Sequence, residues 1–292
     1  MSNPPTSLDD LRRRIDALDD QLHDVLMQRA AIVAEVAQRK QADSTPPMRP
    51  GREAQILRRL VGRHSGAFPK TLLVRIWREL LSGTTSLQAV LHVAVFAPNQ
   101  GGGFWDLARD QYGSHTPMTG FRTAGDVVTA VSDGRAALGV LPVPGQSNEE
   151  AWWRFFAAGD STKPRIVARL PFGGRGNART EGDDAFVIGS FEPEESGSDR
   201  SVFLIETGEG LSRARLLSAL SGVTGTPTLL AAINTEGGAA SQLFEFDGWL
   251  AENDQRLKDA LAALGDKVMR VALLGAYAKP FTAAELATEP TP

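Results

Sequence analysis

Residues 8–40 read LDDLRRRIDALDDQLHDVLMQRAAIVAEVAQRK, and this stretch decides the architecture of the first third of the chain. Leu8, Leu11, Ile15, Leu18, Leu22, Val25, Ile32 and Val36 recur at the period of one helical face. The step at residue 29 holds Arg29, and a guanidinium set into an apolar seam is costly to bury unless an anion meets it. Lys40 closes the helix near that face, about 16 Å further along at ~1.5 Å per residue. Arg12 lies one position off the seam, where it can address a neighbouring helix or subunit. For this helix by itself a solvated, snorkelling set of cations is the plain alternative. Cations at separate levels of an apolar stripe otherwise suit a small anion bound inside a helical bundle.

Working outward, QADSTPPMRPG is turn chemistry, and a second helix is predicted from about Arg52 through REAQILRRLVGRH, with Ile56, Leu57 and Leu60 buried. Arg52 and Glu53 fall in its first turn, where a carboxylate is favoured by the helix dipole. SGAFPK breaks it, and a third helix is predicted from about Thr71 to Leu91, with Leu72, Leu73, Ile76, Leu80 and Leu87 as core positions. Thr84 and Gln88, one turn apart, present hydroxyl and amide to one side. Gly83 weakens this helix by about 1 kcal/mol relative to alanine.

Composition narrows the chemistry. The 292 residues leave room for two or three domains, and 42% apolar with 23% charged residues is ordinary for a globular protein. The absence of cysteine excludes disulfides, thiolate metal sites and cysteine nucleophiles. His23, His64, His92 and His115 have no metal-ligand spacing, so no metal site is expected. MSNPPTSLDD has neither the basic nor the apolar region of a signal peptide, and no apolar run approaches the ~20 residues of a membrane span. A cytoplasmic protein without membrane contact is the expectation. Residues 1–90 hold 14 Lys and Arg against 10 Asp and Glu, whereas the remainder holds 17 against 25. The cations of the basic part are interleaved with apolar positions and no aromatic platform accompanies them. That pattern disfavours nucleic acid and suits a small acidic ligand.

Arg12, Arg29, Lys40, Arg52, Glu53, Thr84 and Gln88, spread over three helices, resemble the all-helical chorismate mutases, in which three helices of each chain intertwine into a homodimer. The resemblance covers residues 8–91. It implies that Arg12 crosses into the partner's site and that Arg12 and Arg29 clamp the two carboxylates of chorismate. It further implies that Lys40 and Gln88 donate to the ether oxygen, Glu53 binds the ring hydroxyl with Arg52 beside it, and Thr84 assists at a carboxylate. Such a pericyclic rearrangement to prephenate needs no nucleophile, metal or cofactor. The family often carries an aspartate before the second helix; Arg49-Pro50-Gly51 stands there instead, so that acidic contact is expected to be missing.

Beyond Leu91 the period changes. LHVAVFAP reads as a strand, NQGGGFWDLARDQYG as a glycine-rich turn entering a helix, and DVVTAVSDGRAALGVLPVP as a helix then a strand, together an α/β layer. Gly101, Gly102 and Gly103 at a helix start suit an anion, without the Lys-Ser/Thr of a phosphate loop. The order is similar to the opening of prephenate dehydratases. Departures follow: the second lobe is missing, Asp184-Ala185 stands before Phe186 in place of Thr-Arg, and PGQSNEE replaces the polar motif after LGVLPV. No dehydratase activity is expected. FEPEESGSDR reads as an acidic linker, and the elements after it as a βαββαβ unit. That unit resembles the ACT-type regulatory domain, with its phenylalanine-binding signatures degraded to GEGLSRAR and INTEGG.

The expected fold is multidomain: an all-α chorismate mutase domain at 1–91, a truncated α/β dehydratase-like region at 92–191, a linker at 192–200, and an α+β ACT-like domain at 201–282. The expected activity is a homodimeric chorismate mutase. A bifunctional mutase–dehydratase, a helical isochorismate pyruvate-lyase and a non-catalytic aromatic-metabolite sensor stay open as alternatives.

Overall fold

The apolar period of residues 8–40 becomes one uninterrupted helix, α1 (Leu8–Ala42), in a computed structural model. It describes residues 7–42, 48–98, 102–145, 151–156, 164–177, 184–234 and 238–288, without the side chains of residues 40–42. Ser7 starts α1: its hydroxyl accepts from the Asp10 amide at 3.1 Å and donates to the Asp10 carboxylate at 2.7 Å. The chain divides into two compact units, residues 1–47 with 84–90, and residues 48–83 with 91–292.

In the first unit the seam of α1 is exposed. Leu18, Leu22, Val25 and Ile32 leave 57%, 62%, 60% and 61% of their surface to solvent. Among the described residues nothing covers this stripe.

Helix α2 (Pro50–Gly62) and most of helix α3 (Lys70–Ser86) belong to the second unit. Helix α2 begins two residues earlier than predicted, with Pro50 in the first turn, where its missing N–H costs nothing. Its buried line is Gly51, Ala54, Leu57 and Val61; Ile56 and Leu60, expected in the core, are only partly buried. Gly51 permits a close approach, because a Cβ there would stand 2.5 Å from the Glu194 carbonyl oxygen. Helix α3 (Lys70–Ser86) runs through Gly83 without a break and stops five residues short of the predicted Leu91. Leu72, Ile76 and Leu87, predicted as core, are exposed by 48%, 46% and 58%. The buried line is Val74, Arg78, Leu81 and Thr85. The helix carries two apolar lines, and hydropathy does not rank them; packing of Val74 against Leu57, Phe172 and Leu286 selects one.

The rest is organised on a nine-stranded sheet. In chain order come β1 (Val93–Phe96), α4 (Gly103–Tyr112), β2 (Met118–Phe121), α5 (Ala124–Ser132) and β3 (Leu138–Pro142). After a 3-10 turn at Trp152–Phe156 follow β4 (Arg165–Leu170) and β5 (Ala185–Gly189). The last part holds β6 (Asp199–Thr207), α6 (Arg213–Thr224), β7 (Thr228–Asn234), β8 (Ala240–Asp247), α7 (Gln255–Ala262), β9 (Val268–Ala278) and α8 (Ala283–Leu286). The strand order is β2-β1-β3-β5-β4-β9-β6-β8-β7. β1 pairs in parallel with β2 and β3, and β5 runs antiparallel between β3 and β4. The edge strand β2, with Gly120 and half-exposed side chains, carried no readable pattern in the sequence.

Alternate residues of β1 go to opposite faces: Val93 and Val95 to a core with Leu107 of α4, Ala94 and Phe96 to one with Val127 and Val131 of α5. The predicted β-α-β-β-α-β order of the last part is present as β6-α6-β7-β8-α7-β9, in sheet order β9-β6-β8-β7.

The two parts of the sheet join where β4 meets β9 in parallel at Ile166 and Gly275. A Cβ on Gly275 would stand 2.1 Å from the Ile166 carbonyl oxygen, so the strands approach this closely only over glycine. The segment read as a linker is pinned. Arg58 donates to Ser196 Oγ at 2.8 Å, to the Ser198 carbonyl at 2.7 Å and to the Lys279 carbonyl at 3.0 Å, while Arg49 meets Glu194 at 2.8 Å. Asp199 and Arg200, counted with that linker, already belong to β6. Among the described residues no helix is long and apolar enough to cross a membrane.

Candidate active site

The seam of α1 places Arg29 half-buried, and its Nη1 donates to Thr84 Oγ1 at 3.2 Å. Gln88 lies in the turn after α3, where its Nε2 donates to the Thr84 carbonyl at 3.5 Å, the outer limit of a hydrogen bond. Gln88 Oε1 is buried and accepts no hydrogen bond among the described residues. An unsatisfied buried carbonyl costs about 1–3 kcal/mol, which makes it a natural contact for a donor brought by a ligand. Two distant parts of the sequence thus meet at Thr84: a cation from α1, and a hydroxyl with an amide one turn on from the end of α3.

Arg12 is exposed and pairs with Asp9 at 3.2 Å. It lies about 26 Å along α1 from Arg29 at ~1.5 Å per residue, too far to serve the same site within one chain. Lys40 belongs to α1 by its backbone, and its side chain lies outside the described residues. Arg52 is exposed and donates to Gln55 at 3.3 Å.

Glu53, in the second unit, accepts from Arg78 Nη1 at 2.9 Å. Arg78 is only 4% exposed, and its guanidinium stacks 4.8 Å from the centre of the Phe172 ring. With its amide oxygen turned toward the cation, Gln111 accepts from Arg78 Nη1 at 2.9 Å and Nη2 at 3.2 Å. Burial pulls the Arg78 pKa below its ordinary value, with Glu53 opposing. The neighbouring Tyr112 is pushed up, first by burial and then by the charge of Glu53. Sequence reasoning passed over Arg78. The signal was available: it stands in the line Val74, Arg78, Leu81, Thr85, just as Arg29 stands in the seam of α1.

Between β4 and β5, Asp184 accepts from Arg169 at 2.9 Å and from Arg175 at 2.8 Å, and Phe186 is fully buried. Glu245, 2% exposed, accepts from Arg169 at 2.9 Å and also binds Arg200 and the Tyr277 hydroxyl. Burial pushes the Tyr277 pKa up, and the charge of Glu245 adds to it. Burial works to lower the Arg169 pKa, but Tyr277, Asp184 and Glu245 outweigh it and hold the cation. The donors and acceptors here satisfy one another, as in a structural ion network. Gly102 caps α4 without a side-chain hydrogen bond, and Gly101 lies outside the described residues, as do most positions of PGQSNEE. No group of three or more metal-ligating His, Asp or Glu occurs among the described residues.

This placement of Arg29, Thr84 and Gln88 accompanies a match at the family level. Residues 11–89 match the chorismate mutase type II family. The bifunctional chorismate mutase/prephenate dehydratase of Aquifex aeolicus (strain VF5) is 30% identical over 140 residues, covering 47% of this chain and 38% of that protein. That of Stutzerimonas stutzeri is 32% identical over 139 residues, covering 46% and 38%. The matched stretch therefore spans well under half the length of these relatives.

Among solved structures, a prephenate dehydratase from Streptococcus mutans aligns with a TM-score of 0.44 at 18% identity, covering 66% of this chain and all of that one. A prephenate dehydratase from Arthrobacter aurescens in complex with L-Phe aligns at 0.46 and 14%, covering 66% and 92%. The helical segment that matches the chorismate mutase type II family is followed by a mixed α/β region.

Proposed function

We propose that the chain is a cytoplasmic homodimeric chorismate mutase, which rearranges chorismate to prephenate, and that its α/β part has no dehydratase activity. The observation that carries this reading is the meeting of Arg29, Thr84 and Gln88. Arg29 supplies a carboxylate clamp, with Thr84 orienting it. The long contact from Gln88 Nε2 to the Thr84 carbonyl is weak enough to be exchanged for a donation to the ether oxygen as charge develops there. Lys40 is assigned to the same oxygen. Glu53 and Arg52 are assigned to the ring hydroxyl, with Arg78 orienting Glu53.

Arg12 is assigned to the partner's site. Its distance from Arg29 along one helix and the exposed seam of α1 both favour two intertwined copies. The inactive dehydratase assignment is supported by Asp184, whose carboxylate is committed to Arg169 and Arg175. The β6-α6-β7-β8-α7-β9 unit is read as ACT-like, with a regulatory or dimerising role.

The test is incubation of the purified protein with chorismate, following prephenate and phenylpyruvate separately. Prephenate accumulating alone is the expected result. Phenylpyruvate would overturn the inactive dehydratase assignment, and untouched chorismate would overturn the mutase.

A further inference from the structure

Arg78 holds Glu53, and what holds Arg78 comes from the α/β part of the chain. Arg78 Nη1 donates to Glu53 Oε2 at 2.9 Å. The same nitrogen donates to the Gln111 amide oxygen at 2.9 Å, and Nη2 donates to it at 3.2 Å. A guanidinium has no acceptor, so the oxygen is the end of Gln111 that faces it. The centre of the Phe172 ring lies 4.8 Å from the guanidinium carbon. Carboxylate, amide and ring thus fix a planar cation within its plane and from one face. Gln111 belongs to α4 and Phe172 follows β4, and all four residues lie in the second unit.

Both supports are themselves held in place. Positions 75, 78, 79 and 82 share one face of α3 and meet α4 or the turn after it. Arg75 meets Asp110 at 2.5 Å, Glu79 accepts from the Ser114 amide at 3.1 Å, and Ser82 Oγ donates to the Tyr112 carbonyl. The turn passes this close because residue 113 is glycine: its φ is +87°, and a Cβ would stand 2.8 Å from Ser82 Oγ. Phe172 is buried, with its ring edge-on to Phe281 at 5.3 Å and its carbonyl accepting from the Phe281 amide at 2.9 Å. Gln111 and Phe172 therefore meet Arg78 from fixed positions.

We infer, resting on the mutase reading and on Glu53 at the ring hydroxyl, that Gln111 and Phe172 are positioning residues for that reaction. The α/β part is then a working part of the mutase, because it supplies the seat that aims Arg78 and, through it, Glu53. Arg78 is 4% exposed, so a donor that loses its acceptor there has little water to turn to and swings toward another group. The carboxylate it carries moves with it, and a misplacement of about 1 Å is enough to lose the contact with a hydroxyl. The ring hydroxyl keeps its place throughout the rearrangement. Its contact is made by substrate and transition state alike, so losing it raises KM more than it lowers kcat.

The experiment is steady-state kinetics of the full chain on chorismate, for the wild type, Gln111→Leu, Glu53→Ala and the double variant, each well below its own denaturation midpoint. Gln111 is half-buried on a helix, and leucine keeps its volume and helix propensity. Gln111→Leu is expected to raise KM about tenfold with kcat held within about twofold. Purely structural damage would instead lower kcat per chain and leave KM unchanged. Phe172→Leu, which removes the ring face and keeps an apolar side chain, is expected to raise KM about threefold. In the Glu53→Ala background Gln111→Leu is expected to add nothing, because a residue that acts through Glu53 has nothing left to aim. Turnover by the wild type with an unchanged KM in Gln111→Leu, or an equal rise of KM in both backgrounds, overturns this inference and leaves the mutase reading standing. So does an unchanged KM in Glu53→Ala. Chorismate left untouched by the wild type overturns both.

Discussion

The helical unit and the sheet unit handle the same residue types in opposite ways. Among the described residues, the apolar seam of α1 is open to solvent and Arg29 donates to the Thr84 hydroxyl. In the sheet unit the strands are covered on both faces, and Glu245 is enclosed by Arg169, Arg200 and Tyr277 of the same chain. The first arrangement leaves capacity for a partner and a ligand; the second closes on itself. Apolar patterning alone does not separate the two, because it records which face is to be covered and not what covers it.

The comparison is broken hardest at Glu245. Glu245→Ala leaves Arg169 and Arg200 without their shared carboxylate and should cost about 3–5 kcal/mol, read as a lowered denaturation midpoint of the sheet unit with the oligomeric state unchanged. Arg29→Ala should do the reverse. A fall in kcat/KM for chorismate of about 10²–10³-fold, close to 3–4 kcal/mol, is expected with the denaturation midpoint unmoved. An unchanged kcat/KM would remove Arg29 from the site.

Leu22→Ala sharpens the contrast on the exposed seam. It should weaken the dimer by about 2 kcal/mol, near thirtyfold in Kd, seen by sedimentation as a shift toward monomer on dilution. A wild-type chain that sediments as a monomer at every concentration would instead mean that the seam is not covered by a second copy.

The smallest effect concerns acid. Hydrogen bonds from the Thr282 amide and hydroxyl hold the Glu285 carboxyl below its ordinary pKa, with burial opposing them. A depressed carboxylate contributes stability above its unfolded value, and this is lost as pH falls through the folded one. Screened by solvent, the loss is no more than about 0.5 kcal/mol. It should show below about pH 4 as a lower protection factor for the α8 amides, and Glu285→Gln should make that protection factor independent of pH.

Much of this was legible in the residues. The α1 period, the strands LHVAVF and LGVLP, and the β-α-β-β-α-β order all emerged as read, because 3.6- and 2-residue periods are local properties. Arg29 and Thr84 were brought to one site only by the family resemblance, and in the structure Arg29 donates to Thr84. The choice between the two apolar lines of α3, the role of Arg78 and the pinning of residues 191–198 were not legible. Each depends on which surface arrives opposite: Phe172 and Gln111 for Arg78, and Arg49 and Arg58 for the linker.

By itself, then, the sequence determined the helices and strands, and which residue types recur along α1, α2 and α3, since backbone periodicity and side-chain chemistry are carried residue by residue. Only the tertiary structure decided that one sheet runs through both α/β parts. That joint needs Gly275 to admit the backbone of Ile166 and Glu245 to neutralise arginines from β4 and β6, contacts between residues far apart in the chain. Such contacts are a matter of space and charge in three dimensions, and no local pattern encodes them.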